Sequence, residues 1–357
     1  MLRSIVSARE LAVVVLTGLF LLLLPRAGNA CRLYGIIGNA LPADLLQTHL
    51  ITAPNSLETI SHSQLDGWGI AYYPQYGDEP VFERGSIRAY NDPDYVAAVA
   101  EIDASLPQIT VVHIRTCSSG CCSHGTDTIP DPHPFYREAN GKVWTFAHNG
   151  GVDKARMIGL LEDYLAANPP NGSDLAACDP SIPNLVVDSE LYFLFVLKMI
   201  EENGWNVVSG ISAAITAMVA AGEAGALNFI LSDGETIWAF RRGSSAYTLY
   251  YRNGNVGTPD GYAAVASQYP TDTQGSWVML TDFQLVVLTR NATPAVIHDV
   301  RVYCPGDFNE NGQVETADLE EFAESYGRGG AGDLDFDGGV DGDYLSTLVR
   351  VYGNACP

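Results

Sequence analysis

Cys31 directly follows a segment built like a removable leader, and this placement constrains the chain more than any other feature. Arg3 and Arg9 precede an apolar run from Leu11 to Leu24, Pro25 interrupts it, and Gly28-Asn29-Ala30 puts small residues at both cut-specifying positions. A charged start, a short apolar stretch and a small-x-Ala exit describe a secretory signal peptide. The run falls short of the ~20 residues a helix needs to cross a bilayer, which argues against a retained membrane anchor. The cut is expected between Ala30 and Cys31, leaving a secreted or periplasmic protein with no membrane attachment. A lipidated cysteine is the alternative, but Gly28 stands where a large aliphatic residue would be expected.

A thiol on the first residue of a chain is chemically special. Its own α-amine has a reference pKa of ~7.7–8.0 and can act as the base that activates the sulfur. Cleavage would therefore create nucleophile and base together. The chain has seven cysteines, an odd number, and in an exported protein the unpaired one is a candidate reactive thiol. With Cys31 set aside, Cys117, Cys121, Cys122, Cys178, Cys304 and Cys356 remain as disulfide candidates. A metal site built from Cys117, Cys121, Cys122, Cys178 and His124 is the competing reading. Removing the leader's three Arg and one Glu takes the formal charge from −23 to −25. That acidity excludes nucleic acid and anionic membrane as partners and favours cation binding.

Residues 31–300 read as one α+β domain. Helical patterns run over Asp94–Ala104, Lys154–Ala167, Asp188–Glu202 and Ala213–Ala221. Strand patterns occupy Ile109–Ile114, Val143–Ala147, Phe229–Ser232, Ile237–Arg241, Tyr247–Tyr251 and Phe283–Thr289. Residues 305–357 are different, with twelve Asp or Glu against two Arg. Within them Leu319, Phe322, Tyr326 and Gly327 recur 26 positions later as Leu345, Leu348, Tyr352 and Gly353. Each half has an acidic loop followed by a short amphipathic helix closed by glycine, so the two halves are expected to bury their apolar faces against each other.

Six segments then occur in a telling order: Cys31 with Tyr34-Gly35-Ile36, Asp66-Gly67-Trp68-Gly69, His113-Ile114-Arg115, His133-Pro134-Phe135, His148-Asn149-Gly150, and Asp188-Ser189-Glu190. Together they resemble the class II glutamine amidotransferases, particularly the stand-alone bacterial type, over roughly residues 31–280. The resemblance implies a four-layer αββα N-terminal-nucleophile fold with Cys31 as nucleophile. It also implies an oxyanion hole from the Asn149 side chain and the Gly150 N–H, with Arg115 on the substrate α-carboxylate and Asp188 on its α-ammonium. Read alone, Asn149-Gly150 is a hairpin turn, Arg115 a strand end and Asp188 a helix cap. Trp68 and the three histidines read as scaffold. The chain departs from the family at Thr116-Cys117-Ser118-Ser119-Gly120 and at Gln268, where relatives often carry Glu.

In the tail, Asp307, Asn309 and Asn311 occupy positions 1, 3 and 5 of a calcium loop, with Gly312 at the bend, Gln313 following and Asp318 at position 12. Asp333, Asp335 and Asp337 repeat the pattern, although Tyr344 falls at the second position 12. The segment resembles a dockerin module, a small all-α unit that implies structural Ca2+ and a protein partner. Without bound metal the same residues read as a solvated acidic face. A Cys304–Cys356 bridge would clasp its ends.

The expected activity is hydrolysis, through a thioester, of the γ-amide of glutamine or a γ-glutamyl-like small molecule, with no cofactor in the chemistry. This sequence contains no synthase domain to accept ammonia. The rival expectation is a catalytically silent amidotransferase fold that serves as a scaffold recruited through its tail.

Overall fold

The computed structural model describes residues 30–39, 41–116, 133–170, 187–253, 261–270, 276–290, 293–309, 311–327, 340, 342–353 and 356. Cys117, Cys121, Cys122, Cys178, His124, Asp333, Asp335 and Asp337 lie outside these residues, as does the leader up to residue 29.

Two antiparallel sheets form the body. The larger runs β11 (Ser276–Met279), β9 (Tyr250–Asn253), β10 (Tyr262–Ala266), β1 (Arg32–Gly38), β4 (Ile109–Ile114), β2 (Trp68–Tyr73), β3 (Val81–Gly85). The smaller runs β13 (Ala295–Ile297), β12 (Leu285–Thr289), β8 (Thr236–Phe240), β7 (Leu227–Ser232), β6 (Lys142–Gly150), β5 (Phe135–Ala139).

Side-chain alternation along β1 shows how the layers form. Leu33 and Ile37 enter a core between the sheets with Val111, Ala147, Ile230 and Ala239. Tyr34 and Ile36 face the opposite way, against Leu46, Leu50, Val99 and Ile102. Val99 and Ile102 belong to α1 (Pro93–Ser105), whose first turn is fixed by Pro93 and by the Asp92 carboxylate accepting from Asp94 N–H at 3.0 Å. The outer face of the smaller sheet is covered by α3 (Asp188–Glu202) and α4 (Val207–Ala220), which pack on Phe146, Phe229, Phe240 and Leu285. The order of packing is helix, sheet, sheet, helix. Because β1 is buried on both faces, it reads as a continuous apolar run.

Several boundaries differ from the sequence patterns, and three of them have a visible local cause. The helix expected over Lys154–Ala167 is two pieces, α2 (Lys154–Leu161) and a short turn at Tyr164–Ala167. Glu162 takes a left-handed φ of 50° between them, and the Leu160 carbonyl is claimed by Lys198 Nζ at 2.9 Å. The start of α4 precedes the expected Ala213, because the Asn206 side chain accepts from Ser209 N–H and caps Val207 onward. Strand β9 begins at Tyr250 rather than Tyr247, since Tyr247 N–H closes a turn onto Ser244 O at 2.9 Å.

The acidic tail has its own small core, in which Val314 and Phe322 meet Val340 and Leu348, 26 positions on. Gly327 N–H donates to Val340 O and Gly353 N–H to Val314 O, both at 2.8 Å, so each half closes onto the other. Phe322 lies on helix α5 (Thr316–Ser325) and Leu348 on helix α6 (Gly342–Val351). Cys304 and Cys356 are disulfide-bonded with Cα atoms 5.5 Å apart. Closing a loop of 52 residues is worth ~4 kcal/mol of unfolded-chain entropy. Among the described residues no helix is long and apolar enough to cross a membrane.

Candidate active site

Cys31 leads into β1, between the ends of its neighbours β4 and β10. It is partly buried and is the free cysteine among the described residues. Its Sγ lies on the main chain of Thr116, accepting from the N–H at 3.3 Å and donating to the carbonyl at 3.4 Å. Burial pushes the thiol above its ordinary value; the Thr116 contact and the guanidinium charges of Arg115 and Arg32 pull it down, and the Asp188 carboxylate pushes it up. Three residues singled out in the sequence, Cys31, Arg115 and Asp188, thus share one electrostatic environment.

The motifs around them act by close approach. Arg115 N–H donates to Gly67 O at 2.9 Å and Asp66 N–H to Arg115 O at 3.3 Å, which fastens the Asp-Gly-Trp-Gly turn to the end of β4. Gly67 has a φ of +101°, which a side chain would strain. A Cβ on Gly69 would lie 1.9 Å from His133 O. Trp68 is scaffold, its Nε1 donating to Asp92 at 2.8 Å.

Asn149 and Gly150 end β6, which crosses β1 and β4 from the opposite sheet. They are strand residues paired with Asn228 and Leu227, not the centre of a hairpin. Asn149 is buried, and its Oδ1 has no hydrogen-bond partner. At Gly150 a Cβ would stand 1.8 Å from Ala226 O and 2.7 Å from His148 Nε2. Gly150→Ala should therefore cost about 3 kcal/mol or more through overpacking, read as a lower urea midpoint. A midpoint within error of wild type would show that this strand end is loosely held.

Asp188 opens α3 but does not cap it; Val187 is the cap residue, and the Asp188 carboxylate crosses to Val152 N–H at 3.0 Å. Beside it Ser189 Oγ meets His148 Nδ1 at 2.9 Å while His148 Nε2 meets Ala226 O at 3.2 Å. The sequence reading missed Ser189 as the partner of His148. It also missed Glu223, whose carboxylate accepts from Asp153 and Gly225 N–H and pairs with Arg156 at 2.9 Å, tying down the loop after Gly150. Arg32 was missed as well: its Nη1 holds the carbonyls of Ala30 and Cys31, and Gln64 Nε2 also reaches the Ala30 carbonyl at 3.3 Å.

In the tail, Asp307, Asn309 and Asn311 turn their side-chain oxygens onto the N–H groups of Asn311, Gly312 and Gln313 at 2.8–3.0 Å. Asp318 is buried and accepts from Phe308, Asn309 and Glu315 N–H. Cys304, Asp307 and Cys356 also lie close together, but both sulfurs are in the disulfide and are not free thiolate ligands.

The profile of the class II glutamine amidotransferases matches residues 31–254, beginning on Cys31 itself. The chain belongs to this family. Uncharacterized protein MJ1515 of Methanocaldococcus jannaschii is 28% identical over 218 residues, 59% of this chain and 50% of that protein. A protein of Escherichia coli named "Putative glutamine amidotransferase YafJ" is 26% identical over 220 residues, 59% of this chain and 72% of its own length. Against MJ1515 the chain spans about half the relative's length. The fold is similar to that of an allosteric regulatory enzyme of purine biosynthesis, with a TM-score of 0.53 and 15% identity over 77% of this chain and 50% of the other. As a class II amidotransferase, this protein has the mixed α+β fold with two antiparallel sheets that the resemblance implied.

Proposed function

We propose that this protein, cut between Ala30 and Cys31, is an exported cysteine amidohydrolase acting on the γ-amide of glutamine or a γ-glutamyl compound. One observation carries the reading: the Cys31 thiol is seated on the Thr116 main chain and feels the opposite charges of Arg115 and Asp188. A free amino-acid end offers one carboxylate and one ammonium, and such a pair of charges matches it.

In this reading the α-amine of Cys31 takes the thiol proton and the thiolate attacks the amide carbon. The Asn149 side-chain amide and the Gly150 N–H receive the oxyanion. The amine departs with a proton, and water then splits the thioester. While the bond from residue 30 is intact, the Cys31 nitrogen is an amide and no base. Burial also keeps the sulfur protonated. The cut is therefore the activating step.

Mass spectrometry of the exported protein should find Cys31 as the first residue with a free amine. A glutamine-analogue electrophile should add to that residue and to no other. A retained or acylated N-terminus, or a processed Cys31 that the reagent ignores, defeats the mechanism and favours a silent scaffold.

For the tail, we propose that Asp307, Asn309, Asn311, the Gln313 carbonyl and Asp318 hold Ca2+, with Asp333, Asp335 and Asp337 serving a second site. The support is a donor set of hard oxygens gathered on one turn, the kind calcium prefers. The unit would then tether the enzyme to a protein partner in the manner of a dockerin. Chelation should lower the melting temperature of the tail, and added Ca2+ should restore it; an unchanged melt removes the metal.

A further inference from the structure

A cavity of about 290 Å3 has Arg32, the residue after the proposed nucleophile, among its walls, together with Thr248, Tyr250, Gln268 and Tyr269. Its position follows from strand order. β1 lies between β4, which ends at Arg115, and β10, which continues into Ser267, Gln268 and Tyr269. The cavity and Arg115 thus stand on opposite flanks of Cys31. Its floor is tied to β1, with Leu33 N–H donating to Ser267 Oγ at 3.0 Å and Ser267 N–H to Leu33 O at 2.9 Å. Thr248 Oγ1 donates to Ser267 O at 2.7 Å, and Tyr269 is braced edge-on by Tyr250 and stacked on Trp277.

Arg32 decides the chemistry. It is buried, with 8% of its surface exposed, and has no carboxylate partner among the described residues. Among the described residues only Nη1 is engaged, and only by the carbonyls of Ala30 and Cys31. Among the described residues no Asp or Glu lines the cavity, in a chain whose formal charge is −23. Removal of residue 30 takes away one of the two acceptors and frees the guanidinium further. A guanidinium fork with open donors, among hydroxyl and amide groups, suits a carboxylate. The volume lies at the small end of ligand pockets, fitting an amino-acid-sized group.

We propose that this cavity receives the amine half of the substrate amide and that this half carries a carboxylate, which makes the substrate a γ-glutamyl amide of an amino acid. The inference rests on the amidohydrolase reading and narrows it. In the first step the bond from sulfur to the carbonyl carbon of the γ-amide forms, the C–N bond breaks, and the thiol proton leaves on the amine. In the second, water adds its oxygen to that carbon, the C–S bond breaks, and the thiol is restored. The products are glutamate and the free amino acid.

The test compares γ-glutamyl-tyrosine with its C-terminal carboxamide and with glutamine, using the processed protein. The free acid should be turned over with kcat/KM roughly ten-fold or more above the carboxamide, the worth of one charge-assisted hydrogen bond. Arg32→Gln should collapse that ratio toward one. Calorimetry of a Cys31→Ser protein with free tyrosine gives a readout independent of turnover, with saturable binding expected and lost in the added Arg32→Gln variant. Equal rates for acid and carboxamide, or no tyrosine binding, overturn the cavity assignment while glutamine turnover leaves the amidohydrolase reading standing. Tyrosine binding without turnover of any amide does the reverse.

Discussion

Replacing Cys31 with alanine should abolish amide hydrolysis, by on the order of 10⁴-fold or more in kcat, while the protein stays folded. The sulfur's hydrogen-bond contacts are with the main chain of Thr116, and β1 is held by backbone pairing with β4 and β10 that the substitution does not touch. Two companions make the result specific. Asn149→Ala should lose about 10²–10³ in kcat, the usual worth of one oxyanion donor, with a smaller change in KM. A chain bearing one extra residue before Cys31 should be as inactive as the alanine variant, since its nitrogen is an amide. Hydrolysis that survives in Cys31→Ala means that another group is the nucleophile.

The second large effect is acid unfolding. His49, His113, His133 and His148 are buried. Burial is the main cause holding each below its ordinary value, to about 4 for His49 and about 3 for His113. Arg115 and neighbouring histidines add to the depression at His113 and His133, whereas Asp188 opposes it at His148. The unfolded chain takes up these protons near pH 6.5 and the folded one does not. Their stability contribution is therefore fully present above 6.5 and is lost as pH falls from there toward the folded values. Each such residue costs about 1.4 kcal/mol per pH unit, so four together can exhaust a typical 5–15 kcal/mol within a few units. Circular dichroism should show cooperative unfolding that begins near pH 6, before most carboxylates titrate. Neither ring nitrogen of His133 has a hydrogen-bond partner among the described residues, so His133→Phe should move the midpoint to lower pH. An unmoved midpoint, or a fold intact to pH 3, contradicts this account.

How much of this was legible beforehand depends on what each residue answers to. The glycines were readable because their constraint is local: Gly150 cannot carry a Cβ. Strand β4 and helix α3 match their sequence boundaries because each carries a strong apolar pattern to its end. The break at Glu162 was not readable, since Lys198 on another helix takes the Leu160 carbonyl. Ser189 on His148 and Glu223 on the Asp153 loop were missed for the same reason. Ordinary polar residues show a role only when folding brings in a partner from elsewhere in the chain. The segments around Cys117 and Asp333 lie outside the described residues, so those expectations are unaltered.

The two crossed bonds in the tail, Gly327 to Val340 and Gly353 to Val314, have a consequence for how that unit could be divided. Each repeat lends the other a main-chain acceptor and half of the buried core, so the tail is a dimer written within one chain. A protein ending after Ser325 would lose Val340, Leu348 and Cys356 together, and its first acidic loop would have no folded support. Such a unit is kept whole or lost whole.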